Sequence, residues 1–415
     1  MFIRTLNISL RLVTLAIRFV FIIVLAKFLP VAEMGNYGYL TALVGYFIYI
    51  AGFEYYTFAN RELIKNRDEK DSNMIFNQLV IYFFGYVIFV PILVFFLNLA
   101  KFDGRVIFLI VSLSILEHLC QEWNRILISI EKVTNATFVL FFRGGAWAII
   151  ASLIIFIYPS TRTLDFILIT WLLSLLLALL ISFYSTPKKF LKCKLESSII
   201  FKGLIACFTL FVASIATRGL VTFDRIVIEI ISTKEILAAY SVYATIGNAV
   251  IATVDTAIVS FMFPKIIFAA QSRNIENFQD QLRVFSKGCI LVSITTSMIV
   301  IILMDNILTW YANEAYSNYK SLFYGFLVFC MINVFSLPSH IALYALNRDK
   351  LILISTLVGF LVYSLIMLYT MLFTVDVYGV IIALISSSLV TFVMKFYYYR
   401  TELDKWKKNI VLPIN

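Results

Sequence analysis

Apolar residues in this chain come in long unbroken blocks rather than in two-residue alternation or a narrow helical stripe. A helix rises about 1.5 Å per residue, so about 20 mostly apolar residues cross a bilayer core. Blocks of that length predict spanning helices near 10–29, 37–58, 74–99, 106–129, 136–158 and 164–185. A second set follows near 203–230, 236–263, 286–309, 320–346, 351–374 and 377–399. Pro91 and Pro338 fall inside spans, where neighbouring helices re-satisfy the freed carbonyls and kinks are expected. The first block is read as a retained span. Arg11 and Arg18 interrupt it, and no small-x-small cleavage site follows.

Composition agrees with the pattern. The chain is 61% hydrophobic and 14% charged, whereas soluble domains lie near 45–50% and 25%. Most lysines and arginines collect in alternate connections, among them Arg61–Lys70, Lys188–Lys202, Lys265–Lys287 and Arg400–Lys408. By the positive-inside rule both termini are then cytoplasmic. The net charge of +10 is mostly this bias plus attraction to anionic lipid, and nucleic acid is not implied. Five cysteines form no CxxC pair and read as small core residues. No HExxH, GxSxG or phosphate-loop pattern occurs, so no catalytic residue, metal site or cofactor is expected. The outer connections are short, which leaves no extramembrane domain for an enzyme.

The two sets of spans look like repeats. Glu33-Met-Gly-Asn-Tyr37 and Glu235-Ile-Leu-Ala-Ala-Tyr240 place their tyrosines 203 residues apart, each opening an outer loop into a helix. Glu131-Lys132 ends the fourth span as Asp349-Lys350 ends the tenth. Six spans return the chain to the same side, so the repeats are parallel and related by an axis along the membrane normal. The expectation is an all-α integral membrane protein of about twelve transmembrane helices, two six-helix repeats around a central cleft. Its parts are an N-terminal lobe at 1–185, a basic linker at 186–202, a C-terminal lobe at 203–400 and a cytoplasmic tail at 401–415. Rocking of the lobes gives alternating access.

Leu25-Ala26-Lys27, Leu29-Pro30, Gly35 and Tyr37 close the first span, and Asp224-Arg225 and Tyr240-Ser241 bracket the loop after the seventh. With these motifs the chain resembles the polysaccharide (O-antigen) translocases of the multidrug/oligosaccharidyl-lipid/polysaccharide exporter superfamily, over essentially its whole length. The resemblance implies a flippase, not an enzyme, in the bacterial cytoplasmic (inner) membrane. Its cargo would be an undecaprenyl-diphosphate-linked oligosaccharide of O-antigen, lipopolysaccharide or similar surface polysaccharide biosynthesis. A proton or sodium ion, and the polymerase and chain-length proteins of the same pathway, are the other implied partners. Related lipid II flippases are usually longer, with extra terminal helices.

The intramembrane charges are the candidate chemistry, because charge in a bilayer is costly and marks function by default. Arg4, Arg11 and Arg18 recur every seven residues, a basic stripe in which Arg18 lies roughly 10 Å beyond Arg11. Arg143 stands beside Gly144-Gly145 in the fifth span, and Arg218 and Arg225 share one face of the seventh. Arg18, Arg143, Arg218 and Arg225 are the candidate substrate-binding residues, since a planar guanidinium grips phosphate bidentately and stays charged when desolvated. The alternative is snorkelling to headgroups for the inner arginines, and for Arg225 an i,i+4 pair with Glu229. Glu54, Glu117, Asp224 and Asp255 are candidates for ion coupling, with polar packing or pairing to the arginines as the other reading. Two rival functions are an integral-membrane polysaccharide polymerase, which the short outer loops disfavour, and a cation-coupled drug exporter.

Overall fold

The fold of each helix follows how cleanly its apolar block is written. The computed structural model describes residues 2–65, 73–190, 192–311 and 313–411, and no strand occurs among them. Of the expected basic positions, Arg67, Lys70 and the side chains of Arg4, Arg11 and Lys408 lie outside the described residues. Ten helical stretches among the described residues are long and apolar enough to cross a membrane. The helices α1 (Phe2–Phe28) and α2 (Val31–Ile50) stand where the first two expected spans begin. They are diluted by basic residues and by glycine and tyrosine respectively.

After α2 the chain turns through 51–55 into α3 (Tyr56–Lys65), so the expected span 37–58 is broken. Phe53 and Glu54 both take left-handed backbone angles there, φ 51° and 55°, a conformation disfavoured for side-chain-bearing residues. The turn presses on α4 (Met74–Leu99), where Gly85 lets it in: a Cβ on Gly85 would lie 1.9 Å from the carbonyl oxygen of Ala51. α5 (Gly104–Ser129) starts on Asp103, whose carboxylate accepts the Val106 N–H at 2.8 Å. The fifth span is α6 (Val133–Phe141), a π turn over Phe142–Ala146, and α7 (Trp147–Ile157). α8 (Leu164–Ser185) matches its apolar block residue for residue. α9 (Ser197–Gly219) and the short α10 (Phe223–Ile231) complete the seventh span with a break between them.

The remaining helices begin with α11 (Lys234–Val254), which passes through a second π turn, Asp255–Val259, into α12 (Ser260–Gln271). α13 (Ile275–Tyr311), the short α14 (Glu314–Asn318), α15 (Lys320–Ala345), α16 (Asp349–Tyr369) and α17 (Val377–Val411) follow. α13 and α17, 37 and 35 residues long, exceed what a bilayer needs. α17 carries the expected tail as far as Val411 as one continuous helix. Pro91, Pro264 and Pro338 all lie inside helices. Large apolar side chains such as Phe83, Phe84, Val87 and Phe95 of α4 are exposed, as suits helices solvated by acyl chains.

The chain divides into two compact units, Met1–Ile230 and Ile231–Asn415. The first therefore holds α9 and nearly all of α10, which the repeat pattern counts with the second half. α9 packs on α2, α3 and α4. Tyr55 donates to the Ile199 carbonyl at 3.3 Å, and Phe53 packs on Phe211 at 5.1 Å between ring centroids. The linker ahead of α9 is tied down too. Asn73 Nδ2 donates to Glu196 Oε1 at 2.7 Å, Asn77 Nδ2 to the Lys194 carbonyl at 3.1 Å, and the Glu196 N–H to Asn77 Oδ1 at 2.8 Å. Hydrogen bonds from Lys194 and Asn73 hold the Glu196 carboxyl below its ordinary value. In the second unit α15 packs against α11, α13 and α17, and α16 against α17.

Candidate functional site

α5 is written in apolar residues on most of its surface, but Glu117, His118, Gln121, Glu122 and Arg125 fall within about two turns of one another. They build two linked clusters inside the first unit. In the first, Arg143 Nε donates to Glu117 Oε2 at 2.8 Å and Arg143 Nη2 to Gln121 Oε1 at 2.8 Å. Only 11% of the Arg143 side chain is exposed. Arg143 occupies the π turn, whose wide backbone frees carbonyls for side chains. Phe142 O accepts from Ser174 at 2.6 Å, Arg143 O from the Trp147 indole at 3.1 Å, and Gly144 O from Arg18 Nε at 3.1 Å. A Cβ at Gly144 would lie 2.1 Å from Arg18 Nη2, so glycine is what lets that guanidinium lie on the turn. Arg18 and Arg143, 125 residues apart in sequence, thus converge on one stretch of backbone. Arg18 is exposed, while Arg143 is held by Glu117.

The second cluster is internal. Glu122 accepts from Tyr82 at 2.5 Å, from Gln78 at 3.4 Å and from Arg125 in an ion pair. The Arg125 guanidinium lies 3.5 Å over the Tyr56 ring. His118 Nδ1 pairs with Tyr86 OH at 2.7 Å. Gln78, Tyr82 and Tyr86 were not singled out from sequence. Their signal was present all the same, as polar groups at i, i+4 and i+8 of an otherwise apolar α4.

Of the other candidates, Glu54 adjoins the second cluster, hydrogen-bonded with Tyr56 and within electrostatic reach of Glu122 and Arg125. On α9, Arg218 is exposed and its guanidinium stacks 3.7 Å over the Tyr49 ring. One turn earlier Ser214 donates to the buried Glu54 at 2.6 Å. Arg225 Nη1 donates to the Val221 carbonyl at 3.2 Å, and its buried Nε has no hydrogen-bond partner among the described residues. Asp224 is buried at the start of α10 and accepts the Arg225 N–H at 2.7 Å. Asp255 is exposed, at the first residue of the π turn in the second unit. The repeat offset of 203 carries 51–55 onto 254–258. The two units thus distort corresponding helices at corresponding places, one by a turn and one by a π turn. Tyr37 and Tyr240, which set that offset, are both buried.

Comparison with known proteins places this geometry. The family model described as polysaccharide biosynthesis protein matches residues 5–267. No curated protein matches the chain significantly by sequence. Among solved structures, the inward-facing conformation of a multidrug resistance MATE family transporter of the MOP superfamily is similar at a TM-score of 0.74 and 14% identity, covering 95% of each chain. The outward-facing conformation of a multidrug resistance MATE family transporter of the MOP superfamily gives 0.62 and 13% over 97% of this chain and 94% of that one. A MOP superfamily transporter from Pyrococcus furiosus, described as having a binding pocket of reverse polarity that suggests a different function, gives 0.55 and 14% over 97% and 94%. At such identities the likeness speaks for the fold. The chain belongs to the polysaccharide biosynthesis protein family, as a multi-pass membrane protein built on the fold of the MATE and MOP transporters.

Proposed function

We propose that this protein is a flippase that carries an undecaprenyl-diphosphate-linked oligosaccharide, the repeat unit of a surface polysaccharide, from the inner to the outer leaflet of the bacterial cytoplasmic membrane by alternating access. The observation that carries the reading is a pair of exposed arginines, Arg18 of α1 and Arg218 of α9. Neither has a carboxylate within ion-pair distance among the described residues. Arg18 is held by a carbonyl and Arg218 by an aromatic face. Both retain free donors for phosphate oxygens. Arg143 is a third position, held in this structure by Glu117, which is one candidate for the coupling ion. Glu54, Asp224 and Asp255 are further candidates for the coupling ion, and Arg225 for the last contact with the head.

A diphosphate head moving outward, down the electrical gradient of a negative-inside potential, gains about 2.3 kcal/mol per charge per 100 mV. For two net charges that is about 4–5 kcal/mol per 100 mV on the same basis. The test replaces Arg18 and Arg218 singly by Ala and by Lys, verifies membrane insertion, and measures surface polymer and lipid-linked oligosaccharide in each leaflet. The Ala variants are expected to accumulate the lipid-linked unit on the inner leaflet and to lose surface polymer, with partial recovery in Lys. Normal polymer in both Ala variants would refute the reading. Accumulation on the outer leaflet would point to a polymerase, and drug sensitivity without accumulation to a drug exporter.

A further inference from the structure

The repeat register that sets Glu131 against Asp349 carries Glu122 onto His340 of α15, 218 residues later. In the first unit that position is a carboxylate, ion-paired with Arg125. In the second it is an imidazole, and the cation within its electrostatic reach is Lys395 of α17. The second unit keeps the cation and lacks the acid.

Two short polar rows bring His340 and Lys395 together. Asn333, Ser336 and His340 stand at i, i+3 and i+7 on α15, and Ser388, Thr391 and Lys395 at the same spacing on α17, so each row follows one helix face. α16 carries the chain back between them, so α15 and α17 run in the same direction, and they pack on each other. Asn333 Nδ2 donates to Ser388 Oγ at 3.1 Å, which fixes the register of the rows. Seven residues further along each helix, about 10 Å, His340 and Lys395 stand at matching levels.

The ammonium is not neutralised there by the chain. Lys395 is half-buried within a membrane-spanning helix and has no hydrogen bond or ion pair among the described residues. The nearest carboxylate along α17, Glu402, is taken by Arg348 and Lys405 at 2.6 Å each. His340 Nδ1 is buried without a hydrogen-bond partner, and so is the hydroxyl of Ser336, one turn earlier and 7% exposed. A desolvated cation beside two unpaired polar groups is costly unless an anion joins them.

The donors select the anion. One ammonium balances one negative charge, whereas sulfate or phosphate would bring a second into the helix interface. An ammonium is a compact point charge, without the planar fork by which a guanidinium matches a carboxylate. A hydroxyl and a neutral imidazole add one donor each. Single donors around a point charge suit a monatomic ion. We infer that Lys395, His340 and Ser336 bind a halide, chloride in the cell, which supplies in the second unit the negative charge that Glu122 supplies in the first. The site shares no residue with the flippase reading and does not depend on it.

The experiment uses the full chain purified in non-ionic detergent in potassium gluconate. Gluconate is replaced stepwise by chloride, bromide or sulfate at constant ionic strength, and the unfolding temperature is read. A saturable rise is expected with either halide and none with sulfate. Lys395→Met keeps the length of the side chain without its charge and is expected to abolish the rise. His340→Phe and Ser336→Ala each remove one donor to an ion and are expected to raise the half-saturating concentration about tenfold. Lys265→Gln should follow the wild-type curve. Anomalous scattering from wild-type crystals grown in bromide is expected to place a peak between Lys395 and His340. A rise that is linear in halide, or that persists unchanged in Lys395→Met, overturns the inference. Should Lys395→Met not yield folded protein, the bromide measurement decides, and the lack of a peak between the two side chains overturns the inference as well.

Discussion

Glu117 is the only carboxylate in an ion pair with Arg143 among the described residues, and Arg18 lies against the same turn. Glu117→Ala would strand a buried guanidinium, a loss of about 3–5 kcal/mol for a broken buried pair. Thermal unfolding in detergent measures it. Replacing both partners, Glu117→Leu with Arg143→Met, is expected to restore most of that stability while surface polymer stays low. Such a split would separate the structural from the transport role of the pair. The charges themselves were legible in the sequence, since Arg18, Arg143 and Glu117 stand out against apolar neighbours. Their convergence was not, because it depends on α1 meeting a π turn more than a hundred residues away.

At the level of elements, boundaries were legible where a block is uniformly apolar, as in α4 and α8, and hidden where backbone geometry overrides hydropathy. The block at 37–58 reads as one span, yet it breaks at Phe53 and Glu54 in left-handed conformations that composition does not announce. Gly85 is the other half of that break. Gly85→Ala would drive a Cβ into the Ala51 carbonyl, and a rigid backbone cannot yield. A loss of at least about 1–3 kcal/mol from overpacking is expected, read as a lower yield of folded protein. Gly144→Ala is the contrasting case, because its clash is with the mobile end of Arg18. Near-normal stability with surface polymer as low as in Arg18→Ala is expected. The linker clamp adds a pH dependence. Glu196 has a lowered pKa, so its contribution is present above the ordinary carboxylate value and is lost as pH falls through the lowered one. Hydrogen exchange across 192–197 should quicken below that point and not in the neutral range.

For the whole molecule, the transmembrane layout was legible because a bilayer demands length and apolarity and little else. Collapsing the membrane potential at constant pH in inverted vesicles is expected to cut net transfer of the diphosphate-linked lipid several-fold, measured by its accessibility to an external glycan-modifying enzyme. The division of the chain into units was less legible. The repeat counts six helices and then six, whereas packing assigns α9 to the first unit through contacts at Phe53, Tyr55 and Thr57. During synthesis, then, the leading half stays unfinished until the ribosome has passed residue 230, with the α9-facing side of α2, α3 and α4 uncovered in the meantime. A gene cut for expression as two complementing pieces belongs after Ile231; a cut in the basic linker would sever the first piece from its own last wall.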